Sequence, residues 1–180
     1  MRKSLLSILF IFPLVVLNAQ KIAESKIDAF TGEPVIYTTW TQFYAGDDAS
    51  GQMASEVRFR HEHGRDFMQI KIVTGDVELT SREGAKIDFK TDKGVVSFLN
   101  LREETSGKGK GLQGGHSPQL GMTLQFTGDF DDLLEARVEK IRYRFTEGYY
   151  DVDVPVKFQK VFRNSCELFV REILEYENRK

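Results

Sequence analysis

Between residues 57 and 101 the chain alternates apolar and polar side chains in short runs, each closed by a turn signal. Val57 and Phe59 alternate with Arg58 and Arg60. Met68, Ile70 and Ile72 alternate with Gln69 and Lys71, and Ala85, Ile87 and Phe89 with Lys86, Asp88 and Lys90. Successive side chains of a strand point to opposite faces, so these runs predict a sheet with one apolar and one polar face. Turn signals recur at residues 63–66, 74–76, 81–84 and 91–94, and turns this frequent favour antiparallel order. Further strands are expected over residues 35–44, 77–80, 95–101 and 120–126. A last hairpin places Ile141, Tyr143 and Phe145 before the turn at 146–148.

The C-terminal segment follows a different period. Pro155 opens a helix, at a position where its missing N–H is not needed. Phe158, Phe162, Cys166, Phe169 and Ile173 then recur at helical spacing, in a stripe widened by Val161, Val170 and Leu174. A shorter helix is expected over residues 130–137, with Asp129 as its N-cap and acids in its first turns. The fold class is therefore α+β: an antiparallel β-meander sheet packed against a C-terminal amphipathic helix, with one short helix before the last hairpin. Residues 20–30 read as a leader to the first strand. Residues 102–118, rich in Gly and Lys, read as a flexible loop.

The first nineteen residues carry an address. Arg2 and Lys3 precede a short apolar run interrupted by Pro13, and Ala19-Gln20 offers a cleavage point. This is the layout of a secretory signal peptide, and the run is too short for a confident membrane span. Cleavage leaves a single domain over residues 20–180. It removes two cations and no acids, taking the formal net charge from −2 to −4. An acidic chain of this kind argues against nucleic acid and anionic membrane surfaces as general partners. No later segment has the length and apolarity of a membrane helix. Cys166 is the only cysteine, so no intramolecular disulfide can form. Its place on the helical stripe predicts a buried, inert thiol.

Several constellations bear on chemistry. His61 and His63 could share one face of a strand and hold a metal ion, but a zinc site needs about three or four ligands. The remaining histidine, His116, lies far away in the Gly-rich loop. Residues 107–117 lack the spacing of a phosphate-binding loop, and no nucleophile elbow is present. Asp47 with Asp48, and Asp151 with Asp153, lack the periodic ligands of a calcium loop. The basic outward positions Arg58 and Arg60, and Lys140, Arg142 and Arg144, are expected to pair with acids such as Glu78 and Asp88. Aromatic residues give the sharper lead. Trp40 and Tyr44 fall on one face of the strand at 35–44 and Tyr37 and Phe43 on the other, while Tyr149 and Tyr150 mark a late turn. Trp40, Tyr44, Tyr149 and Tyr150 are the candidate binding residues.

The ending Leu17-Asn18-Ala19-Gln20, followed by Asp28-Ala29-Phe30-Thr31-Gly32 and a β-branched strand, resembles small exported proteins of Bacteroidota-type bacteria. The resemblance covers about a quarter of the chain. It implies a periplasmic or outer-surface setting in a Gram-negative cell and brings no activity, cofactor or site residue with it. The resulting expectation is a non-enzymatic envelope domain that binds a partner protein, glycan or lipid and needs no cofactor. The alternative is a periplasmic hydrolase whose site gathers dispersed His and Asp/Glu residues.

Overall fold

A computed structural model describes residues 21–44, 55–108, 120–128 and 130–178. The strands, in chain order, are β1 (Ile22–Ile27), β2 (Pro34–Thr38), β3 (Thr41–Tyr44), β4 (Ser55–Glu62), β5 (Arg65–Gly75), β6 (Thr80–Ser81), β7 (Lys86–Thr91), β8 (Gly94–Asn100), β9 (Glu104–Thr105), β10 (Gly107–Lys108) and β11 (Leu120–Thr127). Helix α1 (Asp131–Leu134), β12 (Val138–Phe145), β13 (Gly148–Asp153) and α2 (Val156–Glu177) complete the chain. The large sheet runs β1-β2-β4-β5-β11-β8-β7-β12-β13, with β3 on the free side of β4 and β10 on β11, and every pairing is antiparallel. The α+β class, the covering helix and the short helix before the last hairpin are all present.

Local chemistry sets the hairpins. Glu62 faces Arg65 in register, so His63 and Gly64 form a two-residue turn, with φ of 53° and 64°. Both positions need positive φ, which matches the twist of the flanking strands and which Gly64 adopts without steric cost. This turn fixes the register that puts Val57, Phe59, Met68, Ile70 and Ile72 on the buried face.

The sheet is strongly curved. Four strand-to-strand steps separate β4 from β7, about 19 Å on a flat sheet. Yet Phe59 of β4 and Phe89 of β7 both lie with ring centroids 5.8 Å from that of Phe162 on α2. The sheet therefore wraps around α2, which touches β2, β3 and β4 on one side and β12 on the other. Rings fill the space between them: Phe59 also packs on Phe169 at 5.6 Å and on Phe130 at 5.5 Å, and Phe98 on Phe89 at 5.6 Å.

On α2 the buried positions are Phe162, Ser165, Cys166 and Phe169, with Phe158, Val170 and Ile173 packed at the rim. Ser165 was not part of the expected stripe, and its hydroxyl reaches the Thr41 hydroxyl at 3.5 Å. Leu174, at the other margin, is 52% exposed. Pro155 is the N-cap, one residue before the first helical position. The Cys166 thiol is buried and donates to the Phe130 carbonyl at 3.8 Å. Burial first, then the charges of Asp131 and Glu167, pushes its pKa up to about 12, which keeps it protonated and unreactive.

Several expectations are corrected. Residues 22–27 of the supposed leader form β1, an edge strand paired with β2. The single strand expected at 35–44 is two strands, β2 and β3. The short helix is one turn, capped by Phe130 without a side-chain bond; Asp129 lies outside the described residues. Part of the expected loop is pinned: Glu104 and Thr105 pair with β6, and Gly107 and Lys108 with β11. Between them Ser106 is buried, donating its backbone N–H to Leu79 and accepting from the Leu79 N–H through its hydroxyl, both at 2.9 Å. Residues 109–119 lie outside the described residues.

Candidate binding face

Strands β2 and β3 both pair with β4, and the join between them carries one extra residue. Tyr37 faces Arg60 and Thr41 faces Val57, so four steps along the first chain span three along the second. This is a β-bulge, with Thr39 and Trp40 opposite Arg58. The extra residue resets the alternation. Thr41 points inward to Ser165, and Tyr37 and Trp40 both point outward onto Arg58. The expectation that Tyr37 and Trp40 occupy opposite faces is thereby corrected.

The outer face then reads as rows across the strands. One row holds Tyr37, Arg60, Phe67 and Thr127; the next holds Arg58, Gln69 and Gln125; the third holds Gln42, Glu56, Lys71 and Thr123. Arg58 Nε donates to Gln69 Oε1 at 2.6 Å, and Gln69 Nε2 donates to Gln125 Oε1 at 2.9 Å. The Arg58 guanidinium carbon lies 4.5 Å from the centre of the Trp40 ring and 5.4 Å from that of Tyr37. Lys71 Nζ is 4.1 Å from the Trp40 ring, and the Arg60 guanidinium is 5.2 Å from Tyr37. Cations over ring faces are attracted by the ring quadrupole, more strongly where water is excluded. Gln69, although on the outer face, is only 6% exposed.

The charges on this face do not cancel. Arg60 is ion-paired with Glu62, and Lys71 lies 3.9 Å from Glu56. Among the described residues no carboxylate stands within ion-pair distance of Arg58. Burial first, and then the neighbouring Arg60, hold the Arg58 guanidinium below its ordinary pKa. Burial lowers Lys71 as well, with Glu56 pulling the other way and Arg58 adding to the decrease. The Arg60 Nε is buried and has no hydrogen-bond partner.

The other basic group is neutralised. Arg142 grips Asp151 through two bonds of 2.6 and 2.7 Å, Arg144 bonds Asp88 at 2.5 Å, and Lys140 bonds Asp153 at 3.1 Å. Asp151 and Asp153 thus serve cross-strand ion pairs. Glu78 is exposed and forms no ion pair with Lys140, Arg142 or Arg144, and Asp47 and Asp48 lie outside the described residues. Strands β5, β11, β8 and β7 separate this group from Arg58 along the sheet.

The four candidate aromatics do not form one surface. Trp40 belongs to the face just described. Tyr44 ends β3 opposite Ser55, and its side chain lies outside the described residues. Tyr149 and Tyr150 sit on β13, at the opposite edge of the sheet. Tyr149 is exposed, with Arg142 4.3 Å from its ring centre; Tyr150 packs edge-on against Phe145 at 5.7 Å.

The histidines diverge. His61 Nδ1 is 2.6 Å from Asp66 Oδ1 across the hairpin, whereas His63 lies in the turn, 3.8 Å from Glu33 Oε2. The strand ends at Glu62, so the shared-face geometry does not form. His116 lies outside the described residues. Among the described residues no group of three His, Cys, Asp or Glu side chains is placed to hold a metal ion, and no helix is long and apolar enough to cross a membrane. A cleft of about 250 Å³ lies between Gly94 and Asp131, and one of about 210 Å³ between Asp88 and Asp151. Neither contains a histidine.

Sequence reasoning missed Gln69, Lys71 and Gln125 as members of a site. The period-two pattern and the His63-Gly64 turn together place Gln69 opposite Arg58. Gln125 comes from a strand that no local signal brings to β5. Comparison with family models, curated proteins and solved structures finds no match.

Proposed function

We propose that this chain is an exported envelope protein whose folded part is a non-enzymatic binding domain, and that the outer face around Trp40 takes a glycan. The observation that carries this reading is the pairing of Tyr37 and Trp40 with a row of amide and guanidinium side chains, Arg58, Gln69 and Gln125, on a rigid sheet. Aromatic rings offer apolar faces to sugar C–H groups, and amides offer both donors and acceptors to hydroxyls. A lipid reading draws less support, because Phe59, Phe89, Phe130, Phe162 and Phe169 occupy the space between sheet and helix. Export rests on the basic and apolar leader before Gln20.

Trp40 is the only tryptophan of the chain, so its fluorescence reports on this face alone. Titration with polysaccharides is expected to shift that emission, and Trp40→Ala is expected to stay folded and to lose the heat of binding in titration calorimetry. Unchanged Trp40 emission with every glycan, together with capture of an envelope protein elsewhere on the surface, would overturn the reading. Material from the envelope fraction is expected to begin at Gln20, and an intact leader on cytosolic protein would overturn export.

A further inference from the structure

Resting on that reading, we propose that the glycan carries carboxylate groups and that Arg58 is the residue that binds them. Among the described residues, Arg60 and Lys71 stand beside Arg58 with the carboxylates Glu56 and Glu62, while Glu24, opposite Tyr37 in the same row, is paired with Lys26. Glu62 is taken by Arg60 and Glu56 faces Lys71, so among the described residues no carboxylate compensates the Arg58 charge. Half-buried like charges raise one another's energy, and both Arg58 and Lys71 carry that signature beside the larger effect of burial. A bound anion would remove the repulsion.

The side chain is also held ready. Gln69 takes the Arg58 Nε proton, while the rings of Trp40 and Tyr37 flank the guanidinium. Among the described residues nothing accepts from the two terminal nitrogens, which leaves their donors in the planar fork that matches a carboxylate through two parallel bonds. Gln69 is in turn fixed by Gln125, so the fork is oriented through two successive hydrogen bonds.

An acidic polysaccharide suits this place better than an acidic peptide. Extended peptides add to sheets at free edges through backbone bonds. Strand β4 has no free edge here: β2 and β3 flank it on one side and β5 on the other. What it offers is side chains alone, with aromatic faces beside amides and cations, and a uronic-acid polymer presents sugar ring faces, hydroxyls and a carboxylate at each repeat.

The test follows the heat of binding by titration calorimetry, which also reads Trp40→Ala, with Trp40 emission beside it, while the mature protein is titrated with polygalacturonate, with the same polymer after carboxyl reduction, and with poly-glutamate. Polygalacturonate is expected to bind about tenfold or more tightly than its reduced form, with affinity falling as salt rises. Arg58→Gln is expected to lose about tenfold to a hundredfold toward polygalacturonate and little toward the reduced polymer. Arg58→Lys, which keeps the charge without the fork, is expected to fall between, and it carries the test should the glutamine variant not fold. Equal binding of both polysaccharides, unaffected at Arg58 but lost in Trp40→Ala, would overturn the carboxylate inference and leave the glycan reading standing. Binding of poly-glutamate alone, or of no polymer, would overturn both.

Discussion

The hydroxyls of Tyr143 and Ser55 lie 3.4 Å apart in the core, although five strand-to-strand steps separate β12 from β4. On a flat sheet those strands would be about 24 Å apart. The contact is possible only because the sheet curls until its inner face meets itself across the helix. Both residues are fully buried, at 1% and 0% exposure, and among the described residues each hydroxyl has the other as its hydrogen-bond partner. A polar pair thus sits where the two flanks of the sheet converge, beside the helix that holds them together.

Removing both hydroxyls should therefore cost less than the two single losses added together. Ser55→Ala leaves the Tyr143 phenol unsatisfied and is expected to destabilise by about 1–3 kcal/mol. Tyr143→Phe is expected to cost about 0.5–1.5 kcal/mol, and the double variant less than the sum of the two. Urea unfolding of the four proteins measures the coupling, and strict additivity would show that the hydroxyls do not interact.

The same burial makes stability depend on alkaline pH. Burial is the largest influence on Tyr143 and raises its pKa, with the Ser55 hydrogen bond opposing it. The folded state then holds a proton that the unfolded chain releases near 10.0, its ordinary value. Stability from this group is complete below that pH and falls as pH rises above it. Cys166, raised from 9.0, acts in the same direction. In a Cys166→Ala background, Tyr143→Phe is expected to flatten the loss of melting temperature above about pH 10, and an unchanged slope would contradict the assignment.

Phe162 is the ring that joins the two flanks, touching Phe59 at 5.8 Å with planes 60° apart and Phe89 at 5.8 Å with planes 28° apart. Phe162→Ala is expected to destabilise by about 3–5 kcal/mol through lost transfer energy and a cavity that both flanks line. Leu174→Ala, at the exposed margin of the same helix, should change stability by no more than about 0.5 kcal/mol. Chemical denaturation of the two variants compares these values. Equal effects would mean that the helix is held along its whole length rather than by its aromatic centre.

Much of this arrangement was readable from local signals. Alternation in the hairpins, the His63-Gly64 turn and the Phe158–Ile173 stripe each rest on geometry that repeats within a few residues. The place of β11 had no such signal. It lies between β5 and β8, and Leu124 pairs with Ile70 across more than fifty residues of chain, so only tertiary packing selects it. The binding face failed at one residue. Counting by twos through residues 35–44 puts Tyr37 and Trp40 on opposite faces, and the bulge at Thr39 reverses that count as far as Gln42, after which the register shifts again before Tyr44. Arg58 and Arg60 were visible as a basic strand face. The lack of an acidic partner for Arg58 among the described residues was not, because acids are plentiful in the sequence and only the register decides which cations they reach.

The exit from β11 gives a last test of the packing. Gly128 follows the last residue of that strand, where the chain leaves the sheet toward α1. A Cβ at this position would lie 2.5 Å from Phe98 Cδ1 and 3.0 Å from its Cε1. The Phe98 ring cannot easily retreat: it is buried against Phe89 at 5.6 Å and Phe130 at 5.2 Å. Gly128→Ala is therefore expected to cost about 1–3 kcal/mol through overpacking, added to the backbone strain of a φ of 159°. Phe98→Leu removes the colliding ring edge, so in that background the same substitution should cost clearly less. Thermal unfolding of the four proteins decides the matter, and an alanine tolerated equally in both backgrounds would mean that the backbone after Thr127 moves aside instead of pressing on the ring.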